Sequence, residues 1–158
     1  MLIYPSLHAG SVSSVGLPPV PENLREILEE FIDRDNSIAV VGASRNPEKW
    51  GYKLYRYFKL AGYRRVYPVN PSADSIDGDV AYPSLASLPE PPGVVNVVVP
   101  PKVARQVAME AVKLGLKRIW FQPGSEDEEA IRTCLDAGMK VVWGLCMMAE
   151  SKKRGLIL

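Results

Sequence analysis

The stretch VVGASRNPEKWGYKLYRYF, Val40 to Phe58, gathers the residues best suited to hold an anion. An apolar run stops at Gly42. Ala43 and Ser44 are small enough for backbone N–H groups to approach a ligand, Arg45 and Lys49 add positive charge, and a helical pattern begins near Trp50 and Gly51. A helix start offers free N–H groups and the positive end of the helix dipole. An oxyanion therefore has a reason to sit at this turn. A plain strand-to-helix turn uses the same small residues, so the motif alone leaves both readings open. The glycines also differ from the dinucleotide pattern G-x-G-x-x-G, because after Gly42 the next glycine is Gly51.

The type of phosphate compound depends on the loop after the next strand. An NAD site places an acid there to grip the ribose diol, and an NADP site places a cation. The run VYPVNP ends instead in Asn70-Pro71, with Asp74 four residues beyond Asn70. No G-x-x-x-x-G-K-[ST] is present, which disfavours ATP hydrolysis. The other apolar runs end in Pro100-Pro101-Lys102, Gln122-Pro123-Gly124 and Gly144-Leu145-Cys146.

Elements that would position these loops follow from periodicity. PENLREILEEFIDRD places Leu24, Ile27, Leu28 and Phe31 at helical spacing and predicts a helix over 22–33. Beyond it, short apolar runs alternate with helical patterns: SIAVVG, RRVYPVN, GVVNVVVP, KRIWFQ and MKVVWG read as strands. Pro68 fits an edge or a bulge. Trp50, Leu54, Phe58 and Ala61 form one predicted core stripe, on a helix stopping at Gly62; Val103, Val107, Ala111 and Leu114 form another. Residues 72–89 read as loop, with a short strand at 79–82 and one helical turn at 84–88. The alternation predicts an α/β fold: a Rossmann-like, doubly wound, mostly parallel sheet of five to six strands, with helices on both faces and one domain. An extended leader over 1–20 and a tail over 151–158 flank the domain over 21–150.

At this point the sequence resembles a known family. The segments IAVVGASRNPEKWGYKLYRYFKLAGYRRVYPVNP, AYPSLASLP, NVVVPP, IWFQPG and AGMKVVWGLCM look like the small stand-alone coenzyme A-binding proteins, related to the CoA-binding domain of the succinyl-CoA synthetase α subunit. The resemblance covers about Asn36 to Glu150. It implies that Gly42, Ala43, Ser44 and Arg45 take the CoA diphosphate, with Lys49, Trp50 and Gly51 closing the loop. It further implies that Val69, Asn70 and Pro71 lie beside the nucleotide, Val99, Pro100 and Pro101 border the adenosine, and Gln122, Pro123 and Gly124 lie nearer the pantetheine arm. The cofactor implied is coenzyme A or an acyl-CoA, and the two cations near one helix start suit its phosphates.

The synthetases phosphorylate a histidine on a second domain, whereas the one histidine here, His8, lies in the leader. No Ser-His-Asp, Cys-His or metal constellation assembles around it. The expectation is a non-catalytic CoA-binding protein. Two alternatives stand beside it: an NAD(P)-binding Rossmann domain of a redox sensor or oxidoreductase, and an interaction module with a vestigial nucleotide site. Ser125 and Glu128 have capping-box spacing, so the acids at 126–129 read as a helix start rather than a metal site. Trp120, Phe121, Trp143 and Cys134 read as core. Trp50 either packs inward or leans on the ligand. Cys146 reads as a small hydrophobe, or as a thiol able to form a mixed disulfide with CoA.

The bulk properties agree with a small globular binder. The chain has 158 residues, 47% of them hydrophobic, and a net charge of +1, which provides no charge excess for nucleic acid or a membrane surface. No apolar stretch reaches the ~20 residues of a membrane span. Two cysteines in unlike contexts point to a cytoplasmic setting without disulfides. A homodimer contact through the leader or tail, or an unknown protein partner, is left open.

Overall fold

The structure, a computed structural model, describes residues 22–155. The leader with His8 and the last three residues of the tail lie outside the described residues. The elements in chain order are α1 (Leu24–Phe31), β1 (Ser37–Val41), α2 (Trp50–Leu60), β2 (Arg65–Val69), β3 (Ser75–Ile76), β4 (Asp79–Val80), a 3-10 turn (Leu85–Ser87), β5 (Val94–Val97), α3 (Pro101–Lys113), β6 (Arg118–Phe121), α4 (Glu128–Asp136), β7 (Lys140–Trp143) and α5 (Met147–Lys153).

Five strands form one parallel sheet in the order β2-β1-β5-β6-β7. Every residue of β1 and β5 is buried, as continuous apolar runs covered on both faces must be. From β1 the chain steps outward to β2 through α2, and from β5 it steps the other way to β6 through α3. Right-handed crossovers in opposite directions put these two helices on opposite faces. The strand order therefore reverses between β1 and β5, and a crevice opens beyond their carboxyl ends.

Pro68 sits in β2, the edge strand. Its carbonyl points outward and accepts the Tyr82 N–H at 2.9 Å. The nitrogen of the same residue points the same way, so the missing N–H removes no bond to β1. Gly62, at φ +89°, follows α2 and ends it as expected. The cluster Trp120, Phe121, Trp143 and Cys134 is buried. Burial pushes the Cys134 thiol up to about 12, which leaves it unreactive. Phe31 meets Trp120 edge to face at 5.6 Å, which fastens α1 over the sheet. Glu30 pairs with Arg118 and, at 2.5 Å, with Lys140, tying α1 to the first residues of β6 and β7.

Several expectations are corrected. The first helix is shorter than 22–33, running only over Leu24–Phe31. Trp50 is 56% exposed and lies off the core stripe, which runs through Gly51, Leu54, Tyr55 and Phe58. A glycine on the inner face carries no hydrophobic signal, so periodicity assigns its tryptophan neighbour instead. Likewise Val103 and Leu114 are exposed, and α3 buries Ala104, Val107, Ala108 and Ala111. Small residues there let α3 and α4 approach the sheet and each other. Residues 75–80 form a hairpin rather than a loop with a lone strand, and its turn residues Asp77 and Gly78 both have positive φ. Ser125 does not cap α4; Asp127 does, accepting the Ala130 N–H at 3.0 Å. The stretch after Leu145 is α5, whose Ser151 is buried and bonds the Tyr63 hydroxyl at 2.8 Å, so the tail begins only after this helix.

Candidate functional site

The loops after β1, β2 and β5 meet at the reversal in strand order. Gly42 ends β1 at φ +105° and donates its N–H to the Val69 carbonyl at 3.0 Å. The next turn is held by its own side chains. Ser44 Oγ accepts the Asn46 N–H and Asn46 Oδ1 accepts the Glu48 N–H, both at 3.0 Å. Among the described residues no acceptor takes the N–H groups of Ser44 and Arg45. The start of α2 at Lys49 has no side-chain cap, and neither has the start of α3 at Pro100. Uncapped helix starts and free loop N–H groups together favour negative charge. Arg45 and Lys49 are exposed and make no ion pair among the described residues. The turn thus presents free donors and two uncommitted cations on one rim.

Gly51 explains how the rim closes. It lies on the inner face of α2, and a Cβ built there would drive into the Gly42 carbonyl oxygen and stand 3.3 Å from Ala43 Cα. Its missing side chain lets the helix rest directly on the turn after β1. That is the role of the third glycine in G-x-G-x-x-G, moved along the chain by a longer loop.

Asn70 braces the same turn from β2. Its Nδ2 donates to the Ala43 carbonyl at 2.8 Å, and its Oδ1 accepts the Ser72 N–H at 2.7 Å. The side chain is turned inward and committed, so it does not stand in for the ribose-gripping acid of an NAD site. Asn70→Asp keeps the bond to Ser72 but sets a carboxylate oxygen against a carbonyl oxygen. The expected cost is about 1–3 kcal/mol, read as a lower melting temperature and a weaker response to ligand. Unchanged melting would show that the brace contributes nothing.

Val41, Gly42, Val69, Asn70, Pro71 and Val99 line a cleft of about 440 Å³ between the ends of β1, β2 and β5. Its far wall comes from Val103, which periodicity assigns to the core, and from Pro83, Ser84, Gln106 and Glu110, which sequence reasoning passed over. Glu110 accepts the N–H groups of Leu85 and Ala86, each at 3.2 Å, and so anchors the 3-10 turn at the cleft's edge. Pro100 and Pro101 are exposed at the start of α3 beside this wall. Ser125, buried, accepts the Val99 N–H at 3.1 Å and pins the β5 loop to the β6 loop. Spacing gave no sign of the Ser125 and Glu110 roles, since both bonds join segments far apart in sequence.

Gln122, Pro123 and Gly124 follow β6, one strand further on. Pro123 and Gly124 are exposed, but Gln122 is 4% exposed and faces inward. Its Oε1 accepts from Asn96 Nδ2 at 3.1 Å and from the Met147 N–H at 2.9 Å, and its Nε2 donates to Cys146 Sγ at 3.3 Å. Cys146 therefore sits at the end of β7, three strands from β1, with its sulfur in this internal network. The turn after β1, the Asn70 brace and the cleft come together; the β6 loop belongs to a neighbouring end of the same sheet edge.

The chain is similar to other proteins in sequence and in fold. YneT, an uncharacterized protein of Bacillus subtilis, is 32% identical over 76% of this chain and 88% of its own length. The α subunit of acetate–CoA ligase [ADP-forming] II from Pyrococcus furiosus is 27% identical over 75% of the chain, which spans only 28% of that subunit. A solved structure of a conserved hypothetical protein from Pyrococcus furiosus superposes with a TM-score of 0.69 at 46% identity, covering 72% of this chain and 97% of the other. The sequence profile described as "CoA binding domain" matches residues 36–152, from the residue before β1 almost to the end of α5. The chain belongs to the CoA-binding-domain family.

Proposed function

We propose that this protein binds coenzyme A or an acyl-CoA at the β1–β2–β5 cleft and holds it without transforming it. The diphosphate lies on the turn from Gly42 to Arg45 and the start of α2, with Lys49 alongside. The adenosine enters the cleft, and the pantetheine arm runs toward Pro123 and Gly124. The observation that carries this reading is the phosphate turn itself: free N–H groups at Ser44 and Arg45, an uncapped helix start, and two cations with no internal acid partner. Asn70 supports CoA over NAD(P), because its amide is committed to Ala43 and Ser72 and leaves no group for the ribose diol. The role is storing, sensing or presenting CoA in the cytoplasm, to itself as a dimer or to a partner.

Thermal-shift and calorimetric titration with CoA, acetyl-CoA, NAD and NADP test the reading. A ligand at 100 times its Kd adds about 2.7 kcal/mol to stability. The expected result is stabilisation by CoA species alone, lost in Arg45→Ala/Lys49→Ala, and weakened by salt because exposed phosphate–cation contacts are screened. Stabilisation by NAD without CoA would overturn it. Salt-independent CoA binding that survives the double substitution would move the phosphates elsewhere.

A further inference from the structure

Resting on the CoA reading above, we propose that the site recognises the adenosine, diphosphate and pantetheine of CoA but not the 3′-phosphate, so that dephospho-CoA binds as tightly as CoA. All 19 Lys and Arg residues lie between Arg25 and Arg154, within the described residues, so every strong cation of the chain can be located. Lys102, one residue past Pro101 at the start of α3, is exposed and makes no ion pair among the described residues, but it does not line the cleft. Arg56 and Lys59 pair with Asp77, Arg64 with Glu90, Arg105 with Asp127, and Arg118 and Lys140 with Glu30. Lys53 lies over the Trp50 ring, 4.9 Å from its centre. Arg45 and Lys49 stand at the phosphate turn, where the diphosphate needs them.

The cleft that would take the ribose has a different character. No Lys or Arg lines it, and its one charged lining residue is Glu110. The loop beyond Pro71 carries Asp74 and no cation before Tyr82; its Asp77 and Asp79 are paired with Lys59, away from the cleft. A 3′-phosphate carries nearly two negative charges at neutral pH. In this cleft it would meet a carboxylate and backbone rather than a guanidinium or ammonium group. Glu110 cannot turn away cheaply, because both its oxygens hold the 3-10 turn in place. The neutral polar groups Ser84 and Gln106 suit a nucleoside with free hydroxyls better than a phosphomonoester.

Calorimetric titration with CoA and dephospho-CoA at one ionic strength tests this. Equal affinities within about threefold, or tighter binding of dephospho-CoA, support the proposal, since a single charge-assisted contact to the extra phosphate would favour CoA by about tenfold or more. A CoA preference beyond that threefold band overturns the proposal while leaving the CoA reading intact. Failure of both ligands to bind overturns the CoA reading and this proposal with it. Gln106→Lys supplies a second arm by setting a cation on the cleft wall. It is expected to make CoA preferred by about tenfold. Equal effects on both ligands, or none, would mean that the ribose does not lie in this cleft.

Discussion

Gly42→Ala is expected to destabilise the protein by about 3–5 kcal/mol and to abolish its response to CoA. Two costs combine. The residue sits at φ +105°, where a side chain costs about 1–3 kcal/mol. A Cβ would also lie 2.8 Å from both the Val98 carbonyl carbon and Val99 Cγ1, and closer still to the Val98 oxygen. Overpacking of this kind adds about 1–3 kcal/mol. The Val98–Val99 segment cannot retreat, because the Val98 N–H bonds the Val41 carbonyl at 2.9 Å and the Val99 N–H bonds Ser125. For a chain of this length the melting temperature should fall by about 2–4 °C per kcal/mol. Two further variants separate the causes. Gly78→Ala, at φ +82° with nothing within 4 Å of a built Cβ, carries the backbone cost alone. Gly51→Ala carries the clash alone; an open helical site would instead gain about 1 kcal/mol from alanine. A Gly42→Ala protein that melts with the wild type and still binds CoA would mean that the turn is not built as described.

Gln122→Ala is expected to act on stability before it acts on binding. The residue matches a ligand loop by resemblance, yet its amide bonds Asn96, Met147 and Cys146. Asn96 is fully buried in β5, and its Oδ1 already has no hydrogen-bond partner among the described residues. Truncating Gln122 would leave the Met147 N–H unmade and the Asn96 amide with only a weak bond to Met147 Sδ at 3.6 Å, at about 1–3 kcal/mol for each buried group weakened or lost. A cavity would remain beside them. The coupled loss should reach about 3–5 kcal/mol, seen as a lower urea midpoint and local loosening of α5 in hydrogen exchange. Normal stability with weakened CoA binding would show instead that the side chain faces the ligand.

Much of the fold was legible because its signals are local. The five strands are apolar runs, the helices between them have the right length for crossovers, and Pro68, which called for an edge or a bulge, lies in the edge strand β2. The hairpin at Asp77-Gly78 was missed although its turn pair is a strong local signal; the flanking strands are only two residues each and carry no alternation. The stripes of α2 and α3 were right at Leu54, Phe58, Ala61, Val107 and Ala111 and wrong at Trp50, Val103 and Leu114. The positions turned inward in their place include Gly51, Ala104 and Ala108, whose small side chains carry little hydrophobic signal.

The site divides along the same line. The residue types of the phosphate turn, its two cations and the lack of an NAD-type acid after β2 could be read from sequence alone, because each depends on neighbours within one loop. Resemblance supplied the family. The contacts that shape the turn and the cleft could not be read this way: Gly51 resting on Gly42, Asn70 reaching Ala43, Ser125 holding Val99, and Glu110 closing the cleft. Each joins residues at least nine positions apart, across strands whose order in the sheet is not their order in the chain. Sequence by itself determined which groups could meet a phosphate. Tertiary structure alone decided that Gln122 faces inward, that Trp50 faces out, and that the cleft between β1, β2 and β5 is walled by a carboxylate, because each outcome depends on which surfaces the sheet brings together.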